Sequence, residues 1–113
     1  MKKTLIAGIV ISGTVTLSLV VMANPAYLQL FRRIEKPPQG SQLDKARCLT
    51  CHIKPGGGKQ LNSYGLDFRK NGASEESLRK IRGLDSDADG ATTGREINAG
   101  TLPGNGKSVP MGR

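Results

Sequence analysis

The sequence predicts a small all-α domain, and three observations support this fold class. Residues that favour helix starts precede three segments in which apolar residues recur at helical spacing. No segment alternates apolar and polar residues in the manner of a strand. Large apolar residues are few between residues 46 and 103. A domain with so small a core needs a bound group to complete it.

The first 23 residues have the pattern of an export signal. Lys2 and Lys3 give a charged start, and residues 5–23 carry no charge, with a cleavage site predicted after Ala23. The same run approaches the ~20 residues that a membrane-spanning helix needs, so a retained inner-membrane anchor is the alternative. Either outcome predicts a periplasmic or otherwise extracytoplasmic protein. Residues 24–40 contain three prolines and are predicted to form a lead-in linker, with a short helical turn over residues 27–34.

Residues 41–103 form the predicted domain, and capping residues indicate its first two helices. The first helix begins at Ser41, which is followed by an acidic residue in the first turn, and ends at Pro55 and the glycines after it. The second begins at a cap formed by Asn62 or Ser63 and ends at a glycine.

Two further helices and a tail complete the predicted domain. The third helix covers residues 74–83 and is expected to turn Leu78, Ile81 and Leu84 towards the core. A short exit helix follows the acidic segment that comes next. The Gly/Pro-rich residues 104–113 are expected to form a flexible tail.

Cys48, Cys51 and His52 form a C-x-x-C-H motif that contains both cysteines and the only histidine of the chain. This is the spacing of a c-type haem attachment site. On a helical turn the two thiols lie on one side, where they can form thioethers with the two haem vinyl groups. His52 is then placed to bind the iron. At this motif the sequence resembles the c-type cytochromes.

Three other interpretations of the motif were weighed. A structural zinc site needs four ligands, and the sequence has no second cluster of cysteine and histidine. A redox dithiol is expected at the end of a strand in a βαβ pattern, which is missing from the sequence. A disulfide between Cys48 and Cys51 would close a very short loop and would leave His52 without a role. Covalent haem is therefore the favoured interpretation.

Residues 85–96, DSDADGATTGRE, carry a second motif. Carboxylates fall at positions 1, 3, 5 and 12 and glycine at position 6, which is the template of an EF-hand calcium loop. The predicted oxygen ligands are Asp85, Asp87, Asp89, the carbonyl group of Ala91, Thr93 directly or through water, and Glu96. The segment resembles EF-hand and related calcium loops. With Thr92 at position 8 and no second loop, we expect a lone structural site; a solvated acidic turn is the alternative.

The two motifs, with L-N-x-Y-G-x-D-F between them, resemble small bacterial extracytoplasmic monohaem cytochromes with a calcium loop. The resemblance covers about residues 40–110. It implies one haem c, one structural calcium ion and electron transfer by a protein that is not an enzyme and has no catalytic residues. A haem-based gas sensor or weak peroxidase with an open sixth position is one alternative. A calcium-dependent binding module is the other.

The sixth iron ligand separates these functions. A single histidine excludes two histidine ligands from one chain. Met111 is the only methionine left after signal removal, and a His/Met pair would favour simple electron transfer. Lys59, Tyr64 or an open position are the alternatives.

The charge predicts the kind of partner. The chain carries a formal net charge of +8, and four of its nine acidic residues lie in the calcium loop. Lys45, Arg47, Lys54 and Lys59 all lie close in sequence to the haem motif. Such a surface favours an acidic redox partner protein or an anionic membrane. Ordinary solvated lysines are the alternative, and export argues against nucleic acid.

Overall fold

The structure is a computed structural model that describes residues 25–110. The predicted signal or anchor, residues 1–23, and the candidate ligand Met111 lie outside the described residues. Within the described range, no helix is long and apolar enough to cross a membrane.

The described residues form five helices, one 3₁₀ turn and one two-stranded antiparallel sheet. In chain order the elements are α1 (Pro25–Glu35), α2 (Gln42–Ala46), the 3₁₀ turn (Arg47–Thr50), β1 (His52–Lys54), β2 (Gly57–Leu61), α3 (Ser63–Lys70), α4 (Glu75–Ile81) and α5 (Thr93–Ala99). The domain is therefore a small α/β domain, and the expectation of an all-α fold is wrong.

The hairpin forms where the first helix was expected to continue. Helix α2 already ends at Ala46, and the next residue, Arg47, has a φ of 49°. The chain then turns back through Gly56, Gly57 and Gly58, all with positive φ, which glycine adopts without a steric penalty. His52 pairs with Leu61 across the two strands. The haem motif thus spans a 3₁₀ turn and the start of a strand instead of lying within a helix.

Helices α3 and α4 agree with the sequence prediction. The side chain of Asn62 caps α3 by accepting a hydrogen bond of 2.9 Å from the N–H of Gly65. Ser74 and Ser77 form a reciprocal capping box at the start of α4. Leu84 was expected to face the core, but it is 43% exposed because α4 ends at Ile81, before that residue.

Residues 25–35 form helix α1, which contributes buried side chains to the core, and this corrects the expectation of a lead-in linker over residues 24–40. Helix α1 buries Phe31, which meets Tyr64 edge to face with ring centroids 6.1 Å apart. At its end, Glu35 forms an ion pair with Arg82, at the end of α4. The short helical turn expected over residues 27–34 is thus part of a longer helix that packs into the core.

The core is one cluster of buried side chains drawn from every helix: Phe31, Leu43, Tyr64, Phe68, Leu78, Ile81 and Ile97. Within residues 104–110 the structure buries Ser108 and Pro110, which differs from the expectation of a flexible tail. Ser108 is buried; its Oγ accepts a 2.9 Å hydrogen bond from the N–H of Leu102 and donates one of 2.7 Å to Gln42. Polar side chains hold this segment where large apolar residues are lacking.

Candidate functional site

A cavity of about 640 Å³ opens beside the C-x-x-C-H motif. Cys48, Cys51 and His52 all lie on its wall. Apolar side chains from the surrounding elements form most of the remaining lining: Tyr27, Leu28, Phe31, Leu61, Phe68, Ala73 and Leu78. Its volume falls within the roughly 300–1,000 Å³ typical of small-molecule and cofactor sites. The cavity can therefore hold a large apolar group beside the motif.

The motif residues are half-buried and close together. The N–H of Cys51 donates a hydrogen bond of 3.2 Å to the carbonyl oxygen of Cys48. Burial, with a contribution from the neighbouring Cys48 thiol, raises the pKa of Cys51 to about 12, so this thiol stays protonated. The Nδ1 atom of His52 is buried without a hydrogen-bond partner among the described residues. An unpartnered ring nitrogen on a cavity wall fits a site at which His52 holds a bound group.

Asn62 fixes the motif to helix α3. Its side-chain amide donates hydrogen bonds to the carbonyl oxygens of Leu49, at 3.2 Å, and Thr50, at 3.0 Å. Its backbone N–H donates a bond of 2.9 Å to the carbonyl oxygen of Cys51. One residue therefore caps α3 and satisfies three carbonyl groups of the turn that carries the cysteines. Sequence reasoning assigned Asn62 only the capping role.

Gly65 lets the motif approach α3 closely. A Cβ atom at this position would overlap the carbonyl oxygen of Cys51 and lie 3.2 Å from its Cα atom. The obstacle is backbone that is itself held by Asn62, so it cannot move aside cheaply. The L-N-x-Y-G segment therefore supports the C-x-x-C-H motif.

We expect Gly65→Ala to lower the free energy of unfolding by about 2 kcal/mol, because overpacking against fixed backbone outweighs the ~1 kcal/mol gained in helix propensity. Gly83→Ala is the matched control, since a Cβ there meets no atom within 4 Å. The control should change stability by less than about 0.5 kcal/mol. Denaturant unfolding of both variants measures the difference, and equal stabilities would contradict the close approach.

The second site lies in the segment between α4 and α5. Asp85, Asp87, Asp89 and Glu96 each place a carboxylate oxygen so that all four atoms lie within 4.8 Å of one another. Glu96 is fully buried, at 0% exposure. This cluster can bind a metal ion such as calcium, which prefers oxygen ligands.

Unpartnered carboxylate oxygens support a cation at this site. Both oxygens of Asp87, both of Glu96 and Oδ2 of Asp89 are buried without a hydrogen-bond partner among the described residues. Buried carboxylates without partners are costly unless a cation lies between them. A solvated acidic turn would leave these atoms in water, so the burial favours the calcium interpretation.

Backbone hydrogen bonds shape the loop before any ion binds. Asp85 accepts bonds from the N–H groups of Asp89, at 3.2 Å, and Gly90, at 2.9 Å. The N–H of Ala91 donates a bond of 2.8 Å to Asp89. Gly90 has a φ of 91°, as the sharp turn at position 6 requires. The acidic side chains are thus already turned inward.

The loop is also tied to the helix that supports the haem motif. The hydroxyl of Ser86 donates a bond of 2.7 Å to Asp67 on α3. Thr93, a predicted ligand, donates from its hydroxyl to Ser86 at 3.1 Å. The sequence did not predict these two hydrogen bonds, although Asp67 lies in the L-N-x-Y-G-x-D-F segment.

The crowding of carboxylates changes their acidity. Burial and the neighbouring Asp89 raise the pKa of Asp87 to about 6. Burial and the neighbouring Asp87 and Asp89 raise the pKa of Glu96 to about 9. Without a cation, these groups therefore hold protons in a range where isolated carboxyl groups are ionised.

We expect the protein, when freed of metal by chelation, to lose stability as the pH rises. Both pKa values are higher in the folded chain than the ordinary value near 4, so the protonated forms favour folding. This stabilisation is complete below about pH 4 and is lost as the pH rises through about 6 and about 9. Thermal midpoints with chelator at about pH 5 and about pH 9 measure the effect. Glu96→Gln should remove the loss of stability above about pH 7, because that loss comes from Glu96. A thermal midpoint that rises with pH in the metal-free protein would contradict this prediction.

The candidates for the sixth iron ligand lie in different environments. Lys59 lines the cavity. Tyr64 is fully buried in the core, its hydroxyl has no partner among the described residues, and burial raises its pKa well above the ordinary value. Met111 lies outside the described residues.

The predicted calcium ligand Ala91 is buried beside the acidic cluster.

No known protein family, curated protein or solved structure matches this chain.

Proposed function

We propose that this chain is an extracytoplasmic electron-transfer protein with one covalently bound haem c and one structural calcium ion. Cys48 and Cys51 would form the thioethers, and His52 would bind the iron. One observation carries the proposal: all three motif residues lie on the wall of a single, mostly apolar cavity of about 640 Å³. A bound haem supplies one-electron redox chemistry, which the side chains of this chain lack.

The environment of the thiols argues against the other interpretations of the motif. A catalytic or redox-active dithiol needs a lowered thiol pKa, whereas burial raises the pKa of Cys51 to about 12. Zinc would also need thiolates and further ligands. Within residues 25–110, the acidic cluster is the only group of three or more potential metal-binding side chains. A protonated Cys51 thiol beside an apolar cavity fits thioether formation better than either alternative.

The calcium ion has a structural role in this proposal. Asp85, Asp87, Asp89 and Glu96 would surround it, with the carbonyl group of Ala91 completing the set. The loop leads from α4, whose Leu78 lines the cavity, into α5. A cation between the carboxylates would therefore hold one wall of the haem cavity in place.

One observation favours a second candidate function, a haem-based gas sensor or weak peroxidase. Among the described residues on the cavity wall, His52 is the only histidine, and no methionine is present to act as a second iron ligand. An open sixth position would let a small neutral ligand reach the iron. Carbon monoxide binding to the ferrous protein separates the two functions, because a tightly held sixth ligand slows it strongly.

Basic side chains at the cavity support an acidic redox partner. Arg47, Lys59 and Arg69 line the cavity, and Lys54 is exposed on the neighbouring strand. Electrostatic attraction of this kind mainly raises association rates and weakens with added salt.

A haem stain tests the central part of the proposal. Protein produced in a host with a c-type maturation system is separated on a denaturing gel and stained for haem peroxidase activity. We expect a stained band that survives acid-acetone extraction. A colourless band from such a host would contradict covalent haem. A stained band that loses its colour to acid-acetone would contradict the thioethers but not haem binding.

A further inference from the structure

The cavity is lined mostly by apolar residues, but three of its lining residues are basic: Arg47, Lys59 and Arg69. All three are exposed, and none forms a side-chain hydrogen bond or ion pair with another described residue. Other arginines of the domain are paired, such as Arg32 with Asp44 and Arg79 with Glu75. No acidic side chain within residues 25–110 lines the cavity. Its cations therefore lack an internal counter-charge.

The three side chains reach the cavity from separate elements. Arg47 opens the 3₁₀ turn directly before Cys48, Lys59 lies in the middle of β2, and Arg69 lies in the last turn of α3. Arg47 also has a φ of 49°, which residues other than glycine rarely adopt. Convergence of three unpaired cations from three elements on one apolar cavity defines a site for an anionic, largely apolar ligand.

We propose that Arg47, Lys59 and Arg69 bind the two propionate carboxylates of the haem. This inference rests on the function proposed above and assigns residues that the C-x-x-C-H motif does not include. Guanidinium groups can bind a carboxylate through two parallel hydrogen bonds, and an ammonium group binds it as a point charge. The apolar body of the haem would then lie against apolar lining residues such as Phe31, Phe68 and Leu78. Another apolar carboxylic acid in the cavity is the competing occupant.

A carbodiimide cross-link tests the contact in the unaltered holoprotein. The reagent activates a propionate carboxylate, the Lys59 amine attacks it, and an amide forms. The water that is lost converts the carbodiimide to its urea. Trypsin cleaves after Lys59 in untreated protein and gives a haem peptide of residues 48–59. The amide blocks this cleavage, so we expect a haem peptide of residues 48–69 that is lighter by one water.

Lys54 is the matched control, because it lies on the adjacent strand and does not line the cavity. Lys54→Ala should leave the cross-link unchanged, and Lys59→Ala should abolish it. A haem peptide without the Lys59 amide, or one cross-linked equally to Lys54, would overturn this inference and leave the proposed function intact. A chain without covalent haem would overturn both. An apolar acid extracted from the cavity of such a chain would identify the competing occupant.

The reduction potential gives a second measurement for the two arginines. Arg47→Gln and Arg69→Gln each remove a positive charge beside the propionates, which favours the more positive ferric form and lowers the potential. Lys70→Gln is the control, since Lys70 follows Arg69 on α3 but does not line the cavity. We expect the potential to fall in both arginine variants, to recover with Arg69→Lys and to change less in the control. Equal shifts in all variants would overturn the specific contact.

Discussion

Replacement of both Cys48 and Cys51 by alanine is expected to abolish covalent haem and to leave most of the domain unfolded. The residues of the core are few, and the walls of a cavity of about 640 Å³ would face water without the haem. Exposed apolar area costs about 25 cal/mol per Å², so exposing a few hundred Å² costs several kcal/mol. That cost is large beside the ~5–15 kcal/mol stability of an ordinary domain. Haem staining and circular dichroism measure the two effects.

Single variants separate the roles of the motif residues. Cys51→Ala should leave one thioether at most, and His52→Ala should prevent stable maturation because the iron loses its protein ligand. Lys54→Ala, two residues beyond His52 and exposed, should keep both the haem and the fold. Full haem incorporation in the double cysteine variant would show that the thiols are not the attachment points.

Removal of calcium is expected to lower the thermal midpoint by about 10 °C or more. An ion that binds only the folded chain, at a hundredfold excess over its Kd, adds about 2.7 kcal/mol to the free energy of unfolding. In a domain of this size, each kcal/mol corresponds to about 4–8 °C. Thermal melting with and without chelator measures the change, and the thioether-bound haem should stay attached throughout.

The effect should spread from the loop because hydrogen bonds tie the start of α5 to the residues that directly follow α4. The N–H of Thr93 donates a bond of 2.7 Å to the carbonyl oxygen of Leu84. The N–H of Gly94 donates one of 2.9 Å to the carbonyl oxygen of Arg82. Repulsion among uncompensated carboxylates would pull on these bonds and loosen the helix that carries Leu78.

Two variants control the chelation experiment. Glu96→Gln keeps the side-chain shape but removes one charge, so the calcium-dependent part of the midpoint should shrink. Glu76→Gln, an exposed acidic residue on α4 outside the loop, should leave it unchanged. If chelator changes neither the thermal midpoint nor the haem spectrum relative to untreated protein, the loop is a solvated acidic turn.

The sequence predicted the parts of the two sites that depend on local spacing. Cys48, Cys51 and His52 lie within five residues, and the acidic ligands lie within twelve. Neighbours along the chain must stay close in any fold, so the structure could only refine their arrangement. The cap at Asn62 or Ser63 and the start of a helix at Ser74 are equally local and were predicted for the same reason.

The missed features depend on contacts between distant residues. The strands of the hairpin are only three and five residues long, too short for an alternating pattern to stand out. Phe31 enters the core through Tyr64, which lies 33 residues further along the chain. The three basic residues that line the cavity, Arg47, Lys59 and Arg69, come from three elements, and no short sequence window contains them together.

The mass of the intact mature chain in a denaturing solvent tests the central claim most directly. The protein is produced with a c-type maturation system and treated with a thiol-alkylating reagent before measurement. We expect the mass of the chain plus one haem, with no alkyl group on Cys48 or Cys51. The mass of the bare chain with two alkylated thiols would contradict the proposal.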